Sequence, residues 1–515
     1  MAYIAPNSTV QFFPDLGLSA NYENSLYFAS VAAKDSYFSG LSPITTVNSV
    51  TYIRENQGVI RVERPLSTMY NVGYMRYKNT SFENKWFYAF VTKVNYINNI
   101  TTEVEFEIDV LMTWQGAFTL KQCFIERQHT PNDVIGGNIV EENLDTGDYV
   151  VELYSKTERF NNYKIVIYQS VDDSGNPPIG LEYGGIYSGV YAHVETTATG
   201  ASAHIQSLLS NPATKDAIIM IQMIPSHFDP GSEGSSQPTQ DRFNINTPYD
   251  SVDGYIPKNK KLFTYPYKFL TVYNTEGETG TYRYEFFGGK PNITNNTHTC
   301  GFLMRGIVGP QTEISVIPEN YKGLDVNYNE RLNMVQFPQC AWSVDTYRAY
   351  IAQLQSGLGV SLVSSAMQAG VGFLMGNPLN VAAGVGTAVN QISNLLATKA
   401  IHPPMPIQSK GSQTNDLMVG MKTKDFYFYR MSITQEYARI IDNYFDMYGY
   451  AIKAHSVPNM HTRERWTYIK TIGCSIEGNL PADDARQIEN IFDSGVRFWT
   501  NHTNIGNYSL SNNPL

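Results

Sequence analysis

The chain has 515 residues, more than one core of about 100–200 residues can hold, so two to four packed units are expected. Charged residues make up 16% and aromatics 13%, with 36 Tyr against 25 Phe and 5 Trp, which excludes a disordered chain of high charge and few aromatics. A net charge of -10 argues against a protein that grips nucleic acid through phosphate-neutralising basic patches. Tyr fits a half-buried pleated surface while keeping a polar tip in water, and abundant Gly, Pro and Asn supply turns. A mainly β protein, a β-rich α+β fold, is the expectation.

In chain order, Met1 to Leu18 holds neither a positive n-region nor an apolar h-region, so no secretory signal is expected. Val59 to Glu63 reads as a strand closed by Pro65. Lys85 to Val91 is an aromatic run suited to a strand buried on both faces. Glu103-Val104-Glu105-Phe106-Glu107-Ile108-Asp109-Val110 alternates acid and apolar, so one face is buried and the acidic face requires cations or open solvent. Beyond 131, Tyr163 to Tyr168 is a strand ended by the turn residues Asp172 to Pro178. Ala217 to Ile221 is short enough to favour a buried strand, and Pro230 to Pro238 a surface loop. Lys268 to Tyr273 and Thr281 to Phe287 flank a Gly-containing loop and read as a hairpin.

Between Arg348 and Lys399 lie 50 consecutive residues without a formal charge. Gly376-Asn377-Pro378 divides them into limbs of 18 residues each, Leu358 to Met375 and Leu379 to Leu396. A helical limb of that length runs about 27 Å, close to the roughly 30 Å hydrocarbon core of a bilayer. Ala366/Gly370 and Ala382/Gly386 have the small-residue spacing that lets helices approach closely in lipid. Polar residues such as Ser361, Gln368, Asn380 and Asn390 dilute both limbs, and seven glycines between Gly357 and Gly386 lower helix propensity. Three arrangements fit: a buried helical hairpin in a soluble core, a loop that enters a membrane when triggered, and a constitutive span.

His402 to Pro406 is a stiff extended exit from that segment, and Phe426 to Tyr429 an aromatic strand. A helix follows with Tyr437, Ile440, Ile441, Tyr444 and Tyr448 on one stripe, a capping box of Ser432 and Gln435, and Gly449 at its end. A second helix has Pro481 at its start, Ala485, Ile488 and Phe492 inward, and Gly495 after its last turn. The four cysteines, Cys123, Cys300, Cys340 and Cys474, form no CxxC pair and read as buried reduced thiols.

No GxSxG, HExxH or P-loop is present, so no catalytic residue is assigned. No cofactor or metal is expected: the nine histidines are dispersed, and His455 and His461, the nearest pair, have only Glu464 close by. Asp172-Asp173 reads as a turn, and Asp483-Asp484 as a helix N-terminus, where negative charge is favoured.

Asn84-Lys85-Trp86-Phe87-Tyr88-Ala89-Phe90-Val91, followed by Phe106 to Leu111 and Thr113-Trp114, resembles the distal tail tube, or tail knob, protein of small short-tailed phages of Gram-positive bacteria (Picovirinae). Further matching blocks are Tyr265-Pro266-Tyr267, Tyr448-Gly449-Tyr450, Pro458-Asn459, Thr462-Arg463 and Asn504 to Ser509. The resemblance covers roughly residues 1–130 and 260–515.

It implies a structural virion protein, not an enzyme, with a hexameric tail-tube β-barrel architecture at the tail tip through which double-stranded DNA passes without sequence-specific binding. It implies a homo-hexamer joined to a lower collar (connector-side) tail protein, assembled in the host cytoplasm. It further implies a long apolar hairpin loop, mostly helical or irregular, that plugs the tube and later meets host membrane lipids. By position and texture that loop maps onto 349–398, with Leu358, Leu362, Val363, Val371, Phe373, Leu374, Met375, Gly376, Pro378, Leu379, Val381, Val385, Val389, Ile392, Leu395 and Leu396 as membrane-active residues.

The resulting division is 1–130 for the N-terminal part of the tube domain, 131–340 for outer β-rich subdomains, 341–410 for the plug, and 411–515 for the C-terminal part of the tube. Some of Glu103, Glu105, Glu107 and Asp109 are expected to face the lumen, where negative walls repel phosphates. The alternatives are a tail-tip adhesin or cell-wall hydrolase with 349–398 as core, and a secreted pore-forming toxin.

Overall fold

Alternation at the N-terminus produces a six-stranded antiparallel sheet. The computed structural model describes residues 7–50, 58–160, 162–183, 186–228, 240–288, 297–307, 312–323, 330–335, 337, 339–341 and 424–515. In spatial order the sheet's strands are Thr45–Val50, Ser8–Pro14, Val72–Lys78, Phe87–Asn98, Thr101–Ile108 and Val59–Val62. Its centre is buried on both faces, as the aromatic run predicts. Phe87 and Ala89 pack with Val10, Phe12, Met75, Tyr77, Val104 and Phe106 on one side. Tyr88 and Phe90 join Phe13, Tyr74 and Phe38 on the other.

The second of these cores is shared with the C-terminus. A five-stranded sheet runs in the order Ser25–Leu26, Val496–Trp499, Trp466–Ile472, Cys123–Gln128, Tyr450–Ser456. Only the first pair is parallel. Cys123–Gln128 therefore lies between two C-terminal strands. Trp466 and Trp499 are fully buried with ring centroids 5.0 Å apart. Each indole N–H finds an acceptor, Trp466 Nε1 at 2.6 Å from the Asp446 carbonyl and Trp499 Nε1 at 2.8 Å from Asn24 Oδ1. Residues 1–148, 254–267 and 433–515 form one compact unit.

The helix Gln435–Tyr448 in this unit is turned from the expected stripe. Ala438, Ile441, Asp442, Phe445 and Asp446 face inward, and Ile440 is 58% exposed. The reason is polar. Asp442, 1% exposed, accepts hydrogen bonds from Tyr255 Oη (2.8 Å), the Lys258 amide (2.8 Å), the Asn259 amide (2.9 Å) and Asn259 Nδ2 (2.9 Å). One turn on, Asp446 Oδ2 accepts from Lys258 Nζ at 2.9 Å. The segment 254–267 is thus tied to the helix, and apolar periodicity alone carries no information about that demand.

The helix starts from Thr434 without a side-chain cap, because Ser432 is paired with Lys268 in the preceding strand. Gly449 ends it at φ +65, where a Cβ would fall 2.4 Å from the His129 amide nitrogen. The second helix, Ala482–Ser494, starts after Pro481, buries Ile488, Ile491 and Phe492, and stops at Gly495, much as expected.

Residues 149–253 and 268–432 form the second unit. Its described part holds three four-stranded sheets. One places Phe426–Ile433 beside Lys268–Asn274, which forms a hairpin with Thr279–Tyr282. The hairpin's second strand is shorter than expected, because Tyr284–Phe286 turns into a 3-10 helix. The strand Phe426–Ile433 places most of 424–432 here, and not with the C-terminal part of the chain to which 411–515 was assigned; its hydrogen bonds to Lys268–Asn274 decide this. Likewise 131–148 and 254–267 pack with the chain ends, whereas 131–340 was expected to stand apart. Tyr163–Gln169 and Ile218–Pro225 are paired strands, as read from the sequence. Cys123, Cys300 and Cys474 are free and buried. The expected loop 230–238 and all of 349–398 lie outside the described residues.

Asp442→Ala removes the acceptor for two backbone amides, a hydroxyl and a side-chain amide at once. We expect a loss of about 3 kcal/mol or more in chemical denaturation, since each stranded buried donor costs about 1–3 kcal/mol. An unchanged midpoint would show that the anchor is dispensable.

Candidate functional site

The candidate site is the acidic face of the strand Thr101–Ile108. Val104 and Phe106 point into the core and Glu103, Glu105 and Glu107 onto the opposite face, as the period-two pattern requires. Neighbouring strands supply the cations. Arg61 lies directly across from Glu103, with Nε 2.8 Å from Oε2. Lys93 lies across from Glu105 with Nζ 3.6 Å from Oε1, and Asn95 Nδ2 donates to the same oxygen at 2.6 Å. Glu107 is exposed, stands opposite Phe90, and has no ion pair among the described residues. The face is therefore charge-balanced at 103 and 105 and openly acidic at 107.

Asp109 does not belong to this face. The strand ends at Ile108, and the chain turns into the short helix Val110–Trp114 with Asp109 as N-cap. Oδ1 accepts from the Met112 amide at 2.9 Å and Oδ2 from the Tyr74 hydroxyl at 2.9 Å. At 1% exposure it cannot meet a lumen. Burial pushes its pKa up to about 6, against the opposing pull of the Met112 amide and the Tyr74 hydroxyl. The alternation that made four acids look equivalent broke where five consecutive residues, Val110 to Trp114, entered the core.

The sixteen residues between Leu358 and Leu396 that are expected to be membrane-active lie outside the described residues. Among the described residues no helix is long and apolar enough to cross a membrane, which leaves membrane-crossing by strands open. His455 is exposed and His461 stacks on Tyr27 at 4.6 Å, so that pair forms no centre. A different set comes together: Asp173, His193 and His204 place ligand atoms within 4.8 Å of one another. Sequence reading passed over them because His193 is on a strand, His204 on the following helix and Asp173 in a turn. Only the folding of that helix back onto the sheet joins them.

The family described as Bacillus phage phi29 tail knob protein gp9, C-terminal domain, matches residues 233–513, more than half of the chain. The chain belongs to this tail knob family. A second family, caudoviral major tail protein N-terminus, matches residues 6–119. The chain is 23% identical to the tail knob protein gp9 of Bacillus phage B103 and 24% identical to that of Bacillus phage phi29, in each case over 99% of this chain and 100% of the relative. The structure of the bacteriophage C1 tail knob protein, gp12, shares the fold with a TM-score of 0.64 at 17% identity, covering 99% of this chain and all of that one. The tail knob reading of the sequence thus holds. The chain is a β-rich structural protein of the virion tail of a short-tailed phage, and its relatives are tail knob proteins.

Asp109 offers a test of the geometry. Its folded pKa lies above the ordinary carboxylate value, so the native state holds the proton more tightly than the unfolded one. The cost of burying its charge is complete above about pH 6 and disappears as pH falls toward 4. Between about pH 7 and pH 5 the wild type should therefore gain about 1 kcal/mol from this residue. Asp109→Asn, which keeps an acceptor but carries no charge, should lose that gain. Urea midpoints of both proteins at the two pH values check this, and parallel profiles count against a buried ionisable Asp109.

Proposed function

We propose that six copies of this chain form the distal tube of the tail, continuous with a connector-side tail protein, and that genomic double-stranded DNA leaves through it. Membership of the tail knob family carries this reading. The acidic balance of the chain supports it, because a wall without basic patches lets phosphates slide past and avoids the salt-dependent grip of DNA-binding surfaces. Glu103, Glu105 and Glu107 face the lumen in this proposal, Glu107 with the most open charge.

The uncharged stretch 349–398 plugs the tube before ejection and enters the host membrane afterwards. Its dilution with Ser, Asn and Gly suits a partly hydrated lumen, and its 18-residue limbs are long enough to span a bilayer. Phe373, Leu374 and Met375 form the bulkiest apolar cluster, beside the turn between the limbs, and lead the insertion.

Two measurements test this. A low-resolution image of the purified assembly should show a sixfold ring with an occupied channel; a monomer or another symmetry overturns the tube. Replacing Phe373, Leu374 and Met375 together with Asp should leave tails assembled and abolish leakage from liposomes exposed to them. Leakage at the wild-type level counts decisively against the membrane-active loop. Release of sugars or peptides from cell walls by purified protein would favour the hydrolase alternative.

A further inference from the structure

In the second unit, the sheet Tyr191–Glu195, Tyr163–Gln169, Ile218–Pro225, Gln339–Ala341 has Tyr191–Glu195 at its edge. The chain leaves this edge strand through the N-cap Thr197 into the helix Ala198–Ser210. Ile167 pairs with His193 and Gln169 with Tyr191, so Gln169, His193 and Glu195 share a sheet face. Together with Asp173 from the turn after Tyr163–Gln169 and His204 from the helix, they gather five metal-competent side chains.

The described contacts show how closely these groups are gathered. His193 Nε2 is 2.8 Å from Glu195 Oε1. His204 Nε2 is 3.0 Å from Gln169 Oε1 and 3.7 Å from Asp173 Oδ1. Gln169, 2% exposed, donates from Nε2 to Asp173 Oδ1 at 2.9 Å and so orients that carboxylate. Neither Asp173 nor Glu195 pairs with a Lys or Arg among the described residues. Two carboxylates and two imidazoles thus converge with no permanent cation to balance them.

We propose that His193, His204 and Asp173 bind a divalent transition-metal ion of the zinc class, with Glu195 closing the coordination set. Imidazole nitrogen and carboxylate oxygen are the ligand types such ions take, about 2.0–2.2 Å from the metal. The two rings are stacked with centroids 3.4 Å apart and planes at 3°. Each lone pair lies in its own ring plane, so parallel rings cannot both point at one ion. Coordination therefore turns the rings apart about their Cβ–Cγ bonds, which are soft torsions. The ion takes the place between His193 Nε2 and Glu195 Oε1, and Gln169 holds Asp173 from behind, as outer-shell partners do in metal sites.

Bound there, it clips the helix Ala198–Ser210 to the edge strand and to the turn at Asp173. The centre lies in the part of the chain, 120–232, that neither family match covers.

The untagged full-length protein, stripped with a chelator, is titrated with Zn2+ by calorimetry and with Co2+ by its visible spectrum. One ion per chain is expected, with tetrahedral Co2+ bands. His193→Ala and His204→Ala should each weaken Zn2+ binding at least about 10-fold, while His455→Ala changes nothing. If the Ala variants do not fold, the wild type still decides: Cu2+ bound to it should show two coupled imidazole nitrogens in pulsed electron paramagnetic resonance. No binding by the wild type, fewer than two imidazoles, or unchanged affinity in the folded His193/His204 double variant overturns the site.

Discussion

One core holds the two ends of the chain together. Trp466 and Trp499 lie within it with their rings tilted at 42°, in one cluster with Tyr88 and Phe90 from the N-terminal sheet and Phe492 from the last helix. Aromatic side chains of this size remove large apolar areas from water, and here their indole N–H groups are also satisfied, so burial carries no polar penalty. The strand Cys123–Gln128 lies between two C-terminal strands, so the five-stranded sheet cannot be completed until most of the chain exists. The described residues of 149–253 and 268–432 belong to the second unit, between segments of the first in chain order.

The same division explains where the polar residues went. Asp442 and Asp446 sit on the inward face of the helix Gln435–Tyr448 because the returning segment 254–267 brings unsatisfied amides and Lys258 to that face. Asp109 is buried for a related reason, as the cap of the helix that turns the chain away from the sheet. Glu103 and Glu105 remain at the surface, yet each meets a cation across the strand. Four acids in one alternating run thus have three fates, set by a strand end, by cross-strand partners and by open solvent.

Much of this was legible. Phe87 to Phe90, Val59 to Val62, Tyr163 to Gln169 and Ile218 to Pro225 are strands because period-two or continuous apolar patterns bounded by turn residues leave few other ways to bury them. Gly449 and Gly495 mark helix ends through their positive φ. The inward face of the helix Gln435–Tyr448 was not legible, because a buried aspartate looks like a surface residue until its partners are known. The grouping of Asp173, His193 and His204 was hidden for a similar reason, since spacing reveals a centre only when its ligands share one element.

Legible from the sequence alone were the β-rich class, several of the strands, the ends of the helices Gln435–Tyr448 and Ala482–Ser494, the tail knob resemblance and the uncharged stretch 349–398. These depend on local periodicity, turn chemistry and composition, which are properties of neighbouring residues. That the two ends share a core, that Asp109 leaves the acidic face and that two histidines meet a carboxylate follows from contacts between distant elements. Those outcomes depend on which distant amides, cations and ring faces arrive at the same place, and no window along the chain contains both members of such a pair.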